Sequence, residues 1–191
     1  MTNKQATHHG YARYYEPLLA PLRQSAVRLL EIGVEDGASL AGWREFFPAA
    51  EQVWGVGLGA GDRQGLELSG KVDWGEGGVA DCGQDPGPPC AIIRGDQSDS
   101  AFLAQLVRNT GGNFTVVVDD GSHLPAHQLF TLEALWPSVA PGGLYIVEDV
   151  ETRSGRLSYY SVSINLIPVT GESRRSSTAT PIRASNPLWS E

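Results

Sequence analysis

Three features of the chain predict an α/β fold built on a doubly wound, mostly parallel sheet. Apolar strand-like runs alternate with stretches of helical spacing from Ala26 to Asp149, the pattern of right-handed βαβ units. Two of the runs, Phe114 to Val118 and Leu144 to Val147, are apolar enough to be buried on both faces, as strands of a parallel sheet are. Each leads directly into a pair of acids, Asp119-Asp120 and Glu148-Asp149. In such a sheet, side chains just past the carboxyl ends of neighbouring strands share one crevice, where these folds bind ligands.

In chain order, Tyr11 to Gln24 is a helix candidate interrupted by Pro17 and Pro21, so residues 1–25 are expected to form an N-terminal helical segment. Ala26 to Ile32 is the first strand and stops at Gly33. Leu40, Trp43 and Phe47 give Ala38 to Phe47 a helical stripe that ends before Pro48, since proline disfavours helix in the residue it follows. Val53 to Leu58 is the second strand. Residues 59–90 carry many glycines and prolines without either period and are expected to be an irregular insertion. Ala91 to Arg94 is the next strand, followed by Gly95-Asp96-Gln97 and a helix with Phe102, Leu103, Leu106 and Val107 on one stripe. Ser98 or Asp99 would cap that helix. Leu129, Leu132, Leu135 and Trp136 repeat at helical spacing, and Pro141-Gly142-Gly143 makes the turn into the last strong strand. Tyr159 to Val169 is one further strand candidate; the domain is expected to span 26–170, with 171–191 a polar, disordered tail.

A formal net charge of -8 and a pI near 5.0 argue against a nucleic-acid partner, because phosphate binding needs a basic patch. No apolar run is long enough to span a bilayer, and Met1 to Tyr15 lacks the apolar core of a secretion signal. The expectation is a cytoplasmic protein without membrane contact. Cys82 and Cys90 lack redox or zinc spacing and are expected to be reduced thiols in a loop.

The segment Glu31-Ile32-Gly33-Val34-Glu35-Asp36-Gly37 puts glycines at a strand-to-helix turn. It is either an ordinary turn or a place where a nucleotide-type ligand approaches backbone and helix N-terminus. Asp96 and Gln97 could hydrogen-bond a ribose or an adenine edge, or Asp96 could cap the next helix. Asp119, Asp120, Glu148 and Asp149 are either solvated and capping, or they converge. Convergence is costly for like charges unless a cation joins them, and Mg²⁺ takes one or two carboxylates with waters and substrate completing its shell. His123, three residues past Asp120, would be a general base beside those acids, or a capping or supporting histidine. His127 is read as structural, and His8 and His9 as unstructured polar residues.

These residues resemble a known family, the metal-dependent, S-adenosylmethionine-dependent sugar O-methyltransferases of macrolide tailoring (the mycinamicin and demethylmacrocin type). The shared words are His9-Gly10-Tyr11, Leu30-Glu31-Ile32-Gly33-Val34, Gly37-Ala38-Ser39-Leu40, Gly95-Asp96-Gln97-Ser98-Asp99, Asp119-Asp120-Gly121-Ser122-His123, and Pro141-Gly142-Gly143-Leu144-Tyr145 with Glu148-Asp149, running from His9 to Thr152. The resemblance implies a Rossmann-like class I methyltransferase fold in which Glu31, Gly33, Gly37, Ser39, Asp96, Gln97 and Asp119 line the S-adenosylmethionine pocket. It also implies that Asp120, Glu148 and Asp149 hold Mg²⁺, that His123 is the base, and that a sugar or similar polyol hydroxyl is the methyl acceptor.

The alternative is a methyltransferase-like binding module without catalysis. Three features motivate it: Glu35-Asp36 in the first turn, no acid at the end of the second strand, and a short polar stretch after Asp149 that would leave a sheet edge open to self-association. A metal-dependent hydroxylase or hydrolase using Asp120, His123 and Glu148 is a weaker third reading, because no second metal-spaced histidine accompanies them.

Overall fold

The computed structural model describes residues 12–34, 37–58, 79–82 and 87–150. Within them, helix α1 (Ala12–Leu19) and a 3-10 turn (Ala20–Leu22) precede β1 (Arg28–Ile32), α2 (Ala38–Phe46) and β2 (Gln52–Gly57). There follow β3 (Val79–Asp81), β4 (Cys90–Arg94), α3 (Ser100–Thr110), β5 (Phe114–Asp119), α4 (Pro125–Leu135), a second 3-10 turn (Trp136–Ser138) and β6 (Val139–Val147). His8, His9, Glu35, Asp36, most of the 59–90 insertion, the Tyr159 to Val169 strand candidate and the 171–191 tail lie outside the described residues.

The sheet runs β3-β4-β2-β1-β5-β6. All its pairings are parallel except β3 with β4. The chain steps outward from β1 to β2 and β4, then returns to the other side of β1 with β5 and β6, so the winding reverses between β1 and β5. That switch point is where a doubly wound sheet opens a crevice beyond its carboxyl ends.

The period-two alternation of each strand sorts the core into two layers. Leu29, Val116, Val118, Leu144 and Ile146 face one side, where they pack with Tyr15 and Leu19 of α1 and with Leu40 and Trp43 of α2. Leu30, Ile32, Val117, Tyr145 and Val147 face the other, against Leu103 and Leu106 of α3 and Leu135 of α4. The same parity carries through to the polar residues at the strand ends.

Three expectations are corrected. The 59–90 stretch is not wholly irregular, because β3 lies in it and pairs antiparallel with β4 through Val79–Ile93 and Asp81–Ala91. That hairpin brings Cys82 back beside Cys90, and the two form a disulfide rather than remaining thiols. Pro141-Gly142-Gly143 does not precede a strand but bulges within β6: Phe114 and Val116 of β5 face Val139 and Leu144, so the extra residues are looped out.

In α4 the residues expected to form the apolar stripe are not all inward. Leu129 is exposed, while Gln128, Thr131 and Leu135 are buried. The inward polar pair holds the strand ends, Gln128 bonding the Glu148 carbonyl and Thr131 the Gln97 amide.

Candidate active site

Gly33 ends β1 with φ +98, and a β-carbon there would meet the Asp120 carbonyl oxygen at 2.1 Å and the Gly121 Cα at 2.7 Å. Glycine is required for this contact between the first turn and the β5 exit. Backbone hydrogen bonds fix both segments, Gly33 and Val34 to the Val56 carbonyl and Asp120 to the Ile32 carbonyl, each at 2.9 Å. Gly37 caps α2 from the left-handed region, φ +80.

Past that junction, Asp120, His123 and Asp149 come together, one potential ligand atom from each lying within 4.8 Å of the others. His123 Nε2 is 4.0 Å from Asp149 Oδ2. Both residues take left-handed backbone, φ 58 and φ 49, a conformation that Asn, Asp and His tolerate better than most side chains. It turns the chain sharply as it leaves β5 and β6, where the two side chains meet. His123 Nδ1 is buried and has no hydrogen-bond partner among the described residues, so Asp149 is the group that faces the ring.

Glu148 stands outside this cluster. By the parity of β6 it falls on the α1 face with Leu144 and Ile146, where it is 1% exposed and its Oε1 accepts from the Tyr15 hydroxyl. Its backbone is pinned from both sides: the amide donates to the Asp119 carbonyl and the carbonyl accepts from Gln128 Nε2. Of the four acids, Asp120 and Asp149 belong to that group of three with His123, and Glu148 is held from the α1 side.

The residues expected to line the cofactor pocket divide into two groups. Gly33, Gly37 and Ser39 lie along the first turn, and Asp96 lies exposed at the end of β4. Asp96 Oδ1 accepts from the Ser98 amide and hydroxyl, both at 2.7 Å, and these bonds, the amide first, hold its carboxyl below the ordinary range. The α3 cap is Asp99 instead, which accepts from the Ala101 and Phe102 amides.

Glu31, Gln97 and Asp119, by contrast, are turned inward. Glu31 follows the parity of Leu29 toward α2, where its carboxylate accepts from Ser39 Oγ at 2.6 Å and Trp43 Nε1 at 3.1 Å. Gln97 spans three elements: its Nε2 donates to Asp119 Oδ1 and Thr131 Oγ1, and its Oε1 accepts from the Ser122 amide at 2.6 Å. Asp119 is fully buried, and burial pushes its carboxyl up to about 6, although Gln97, the Gly121 amide and the Tyr145 hydroxyl all favour the charged form. Burial likewise pushes the Tyr145 phenol upward, with the Asp119 charge adding to it. These three residues tie the ends of β1 and β5 to α2, α4 and the Ser122 backbone.

Two residues of the site escaped sequence reasoning. Tyr15 had a signal, since Tyr15 and Leu19 are one turn apart and both buried, which marks the inner stripe of α1. Trp43 was read as core, and nothing in spacing announces its indole as a donor to Glu31. His127, read as structural, pairs with Ser122 Oγ through Nδ1 at 3.0 Å.

The winding order and the crevice define a Rossmann-like, class I methyltransferase fold. Over 78% of its length the chain superposes on the MycE methyltransferase from the mycinamycin biosynthetic pathway, solved in complex with Mg, SAH and mycinamycin VI, with 32% identity and a TM-score of 0.60, covering 36% of that chain. It is similar to the mycinamicin VI 2''-O-methyltransferase of Micromonospora griseorubida, 34% identical over 151 residues, covering 75% of this chain and 32% of the relative. It is also similar to an 8-demethyl-8-alpha-L-rhamnosyl tetracenomycin-C 2'-O-methyltransferase of Streptomyces olivaceus, 35% identical over 151 residues, covering 75% of this chain and 34% of the relative. The chain thus resembles the antibiotic-sugar O-methyltransferases, and it spans about a third of the length of the curated relatives it matches. No family model matches the chain.

Proposed function

We propose that the protein is a metal-assisted, S-adenosylmethionine-dependent O-methyltransferase acting on a hydroxyl of a sugar or similar polyol. The observation that carries this reading is the convergence of Asp120, His123 and Asp149 beside the close Gly33–Asp120 contact. The residues present fit Mg²⁺: two half-buried carboxylates in reach of one ion leave room for the waters and substrate that this cation keeps in its shell. Asp120 and Asp149 would hold it, with Glu148 next to them. When bound, the cation would orient the acceptor hydroxyl and lower its pKa.

The chain's own groups would do the rest. Gly33, Val34 and the α2 N-terminus would seat the methionine end of the cofactor, since the positive end of a helix favours a carboxylate. Ser39 and Glu31 would shape that wall, Asp96 would reach the nucleoside, and Gln97 and Asp119 would brace it from beneath. His123 would take the hydroxyl proton, and the resulting imidazolium would face Asp149, whose carboxylate stabilises it. Holding acceptor oxygen and methyl carbon in line supplies much of the rate.

The acceptor in this reading is a small glycoside, as the relatives' names suggest for those proteins, not a nucleic acid, given the charge of -8. Among the described residues no helix is long and apolar enough to cross a membrane. The location we propose is cytoplasmic, where the Cys82–Cys90 bond would be open to reduction. Pairing of copies through a sheet edge belongs to the same proposal.

A binding module without catalysis is the second reading, and one observation favours it: Glu31, Gln97 and Asp119 are committed to internal hydrogen bonds. Calorimetric titration with S-adenosylmethionine, with and without Mg²⁺, separates the two. The enzyme reading expects binding, and methyl transfer to a glycoside that needs the cation. No heat and no thermal shift at millimolar cofactor would sink it, because a ligand that binds the folded state stabilises it by mass action.

A further inference from the structure

Tyr15 lies on α1, remote in sequence from every residue to which a role is given above, yet its hydroxyl reaches Glu148 across 133 positions of chain. The ring is 6% exposed and set edge-on against Trp43, centroids 5.2 Å apart, so its direction is fixed by packing. Trp43 in turn donates to Glu31, which Ser39 also holds. A single buried chain of contacts therefore joins the first turn of the cofactor cleft to Glu148, with Tyr15 as its link.

We propose that Tyr15 is a positioning residue for the cation site, acting through Glu148: its hydroxyl anchors one carboxylate oxygen and so fixes the negative charge that backs the Asp120 and Asp149 pair. This deepens the proposed function and rests on its cation site. A buried carboxylate is costly unless donors satisfy it, and the residues that orient or back a metal's ligands contribute strongly to its affinity. Loss of the hydroxyl leaves Glu148 without this donor and makes its charge costlier to keep in place.

The test is Mn²⁺ binding to the full 191-residue chain, followed by electron paramagnetic resonance and calorimetry. Tyr15→Phe keeps the ring and its Trp43 contact; it should weaken Mn²⁺ about tenfold, in line with substitutions in a metal site's outer shell, and leave S-adenosylmethionine affinity without metal within about twofold. A merely structural role is excluded by a double-mutant cycle: in a Glu148→Gln background, Tyr15→Phe should cost nothing further. Unchanged Mn²⁺ affinity in Tyr15→Phe overturns the proposal, as does an equal loss in the Glu148→Gln background. If Tyr15→Phe fails to fold, Glu148→Gln alone must weaken Mn²⁺ by a similar factor, and unchanged affinity there overturns the proposal. Wild-type protein that takes up no Mn²⁺ defeats the cation site itself, a result distinct from normal wild-type uptake with an indifferent Tyr15→Phe.

Discussion

Gly33 and Asp120 touch through backbone alone: a β-carbon on the glycine would stand 2.1 Å from the carbonyl oxygen of the aspartate. The first turn and the β5 exit are thus one mechanical unit. Gly33→Ala adds a clash against backbone that cannot swing aside, at φ +98. It is expected to cost about 3 kcal/mol or more in urea unfolding, and any folded fraction should bind Mn²⁺ more weakly, because Asp120 is pushed from its place. A variant with wild-type unfolding midpoint would show that the contact relaxes freely.

His123 is best tested with asparagine. At φ 58 an alanine would add backbone strain to the loss of the ring, whereas asparagine tolerates the left-handed region. His123→Asn should lower methyl transfer by about 10²- to 10⁴-fold, the usual worth of a positioned base, with cofactor affinity by calorimetry essentially retained. Activity that survives the change would remove the base assignment.

Asp119 makes stability depend on pH in a direction opposite to most carboxylates. Its folded pKa is raised to about 6 from 3.8, so the native state holds a proton that the unfolded chain releases, and stability falls as pH rises between those values. The loss is complete above about pH 6. Asp119→Asn should therefore be up to about 3 kcal/mol more stable than wild type at pH 7 and gain nothing at pH 3.5. Equal unfolding midpoints for the two proteins at pH 7 would contradict this.

The Cys82–Cys90 bond closes a loop of sequence separation 8 at the start of β4, the end of the strand away from the cleft. Cys82→Ser should cost about 2.5 kcal/mol by loop entropy and leave Mn²⁺ and cofactor binding unchanged. Urea unfolding of Cys82→Ser checks the first half and its titration with Mn²⁺ and S-adenosylmethionine the second; weakened cofactor binding would mean that β3 supports the site.

Much of the sheet was legible because parallel strands buried on both faces leave continuous apolar runs, as at Phe114–Val118. β3 was not, since three residues among glycines carry no period, and its disulfide became visible only once the hairpin set Cys82 beside Cys90. The candidate site was legible as a cluster but not in detail. Adjacent residues of a strand point to opposite faces, so parity sends Glu148 toward α1 with Ile146, whereas Asp149, past the end of β6, owes its direction to its left-handed backbone, φ 49. Applied to Asp119, the same rule pairs it with Val117 on the α4 side, which explains its burial against Gln97 and Tyr145. The one-turn spacing of Tyr15 and Leu19 marks an inner stripe of α1, but the role of the Tyr15 hydroxyl was hidden because its partner lies 133 residues away.

The left-handed backbone at His123 and Asp149 also restricts how this site can drift over generations. A β-branched or bulky residue at either position pays about 1 to 2 kcal/mol before any chemistry is counted. Replacements that survive are therefore steered toward glycine, asparagine and aspartate. A descendant that had abandoned catalysis while keeping its shape would carry those small residues at 123 and 149 as the fossil of the lost site.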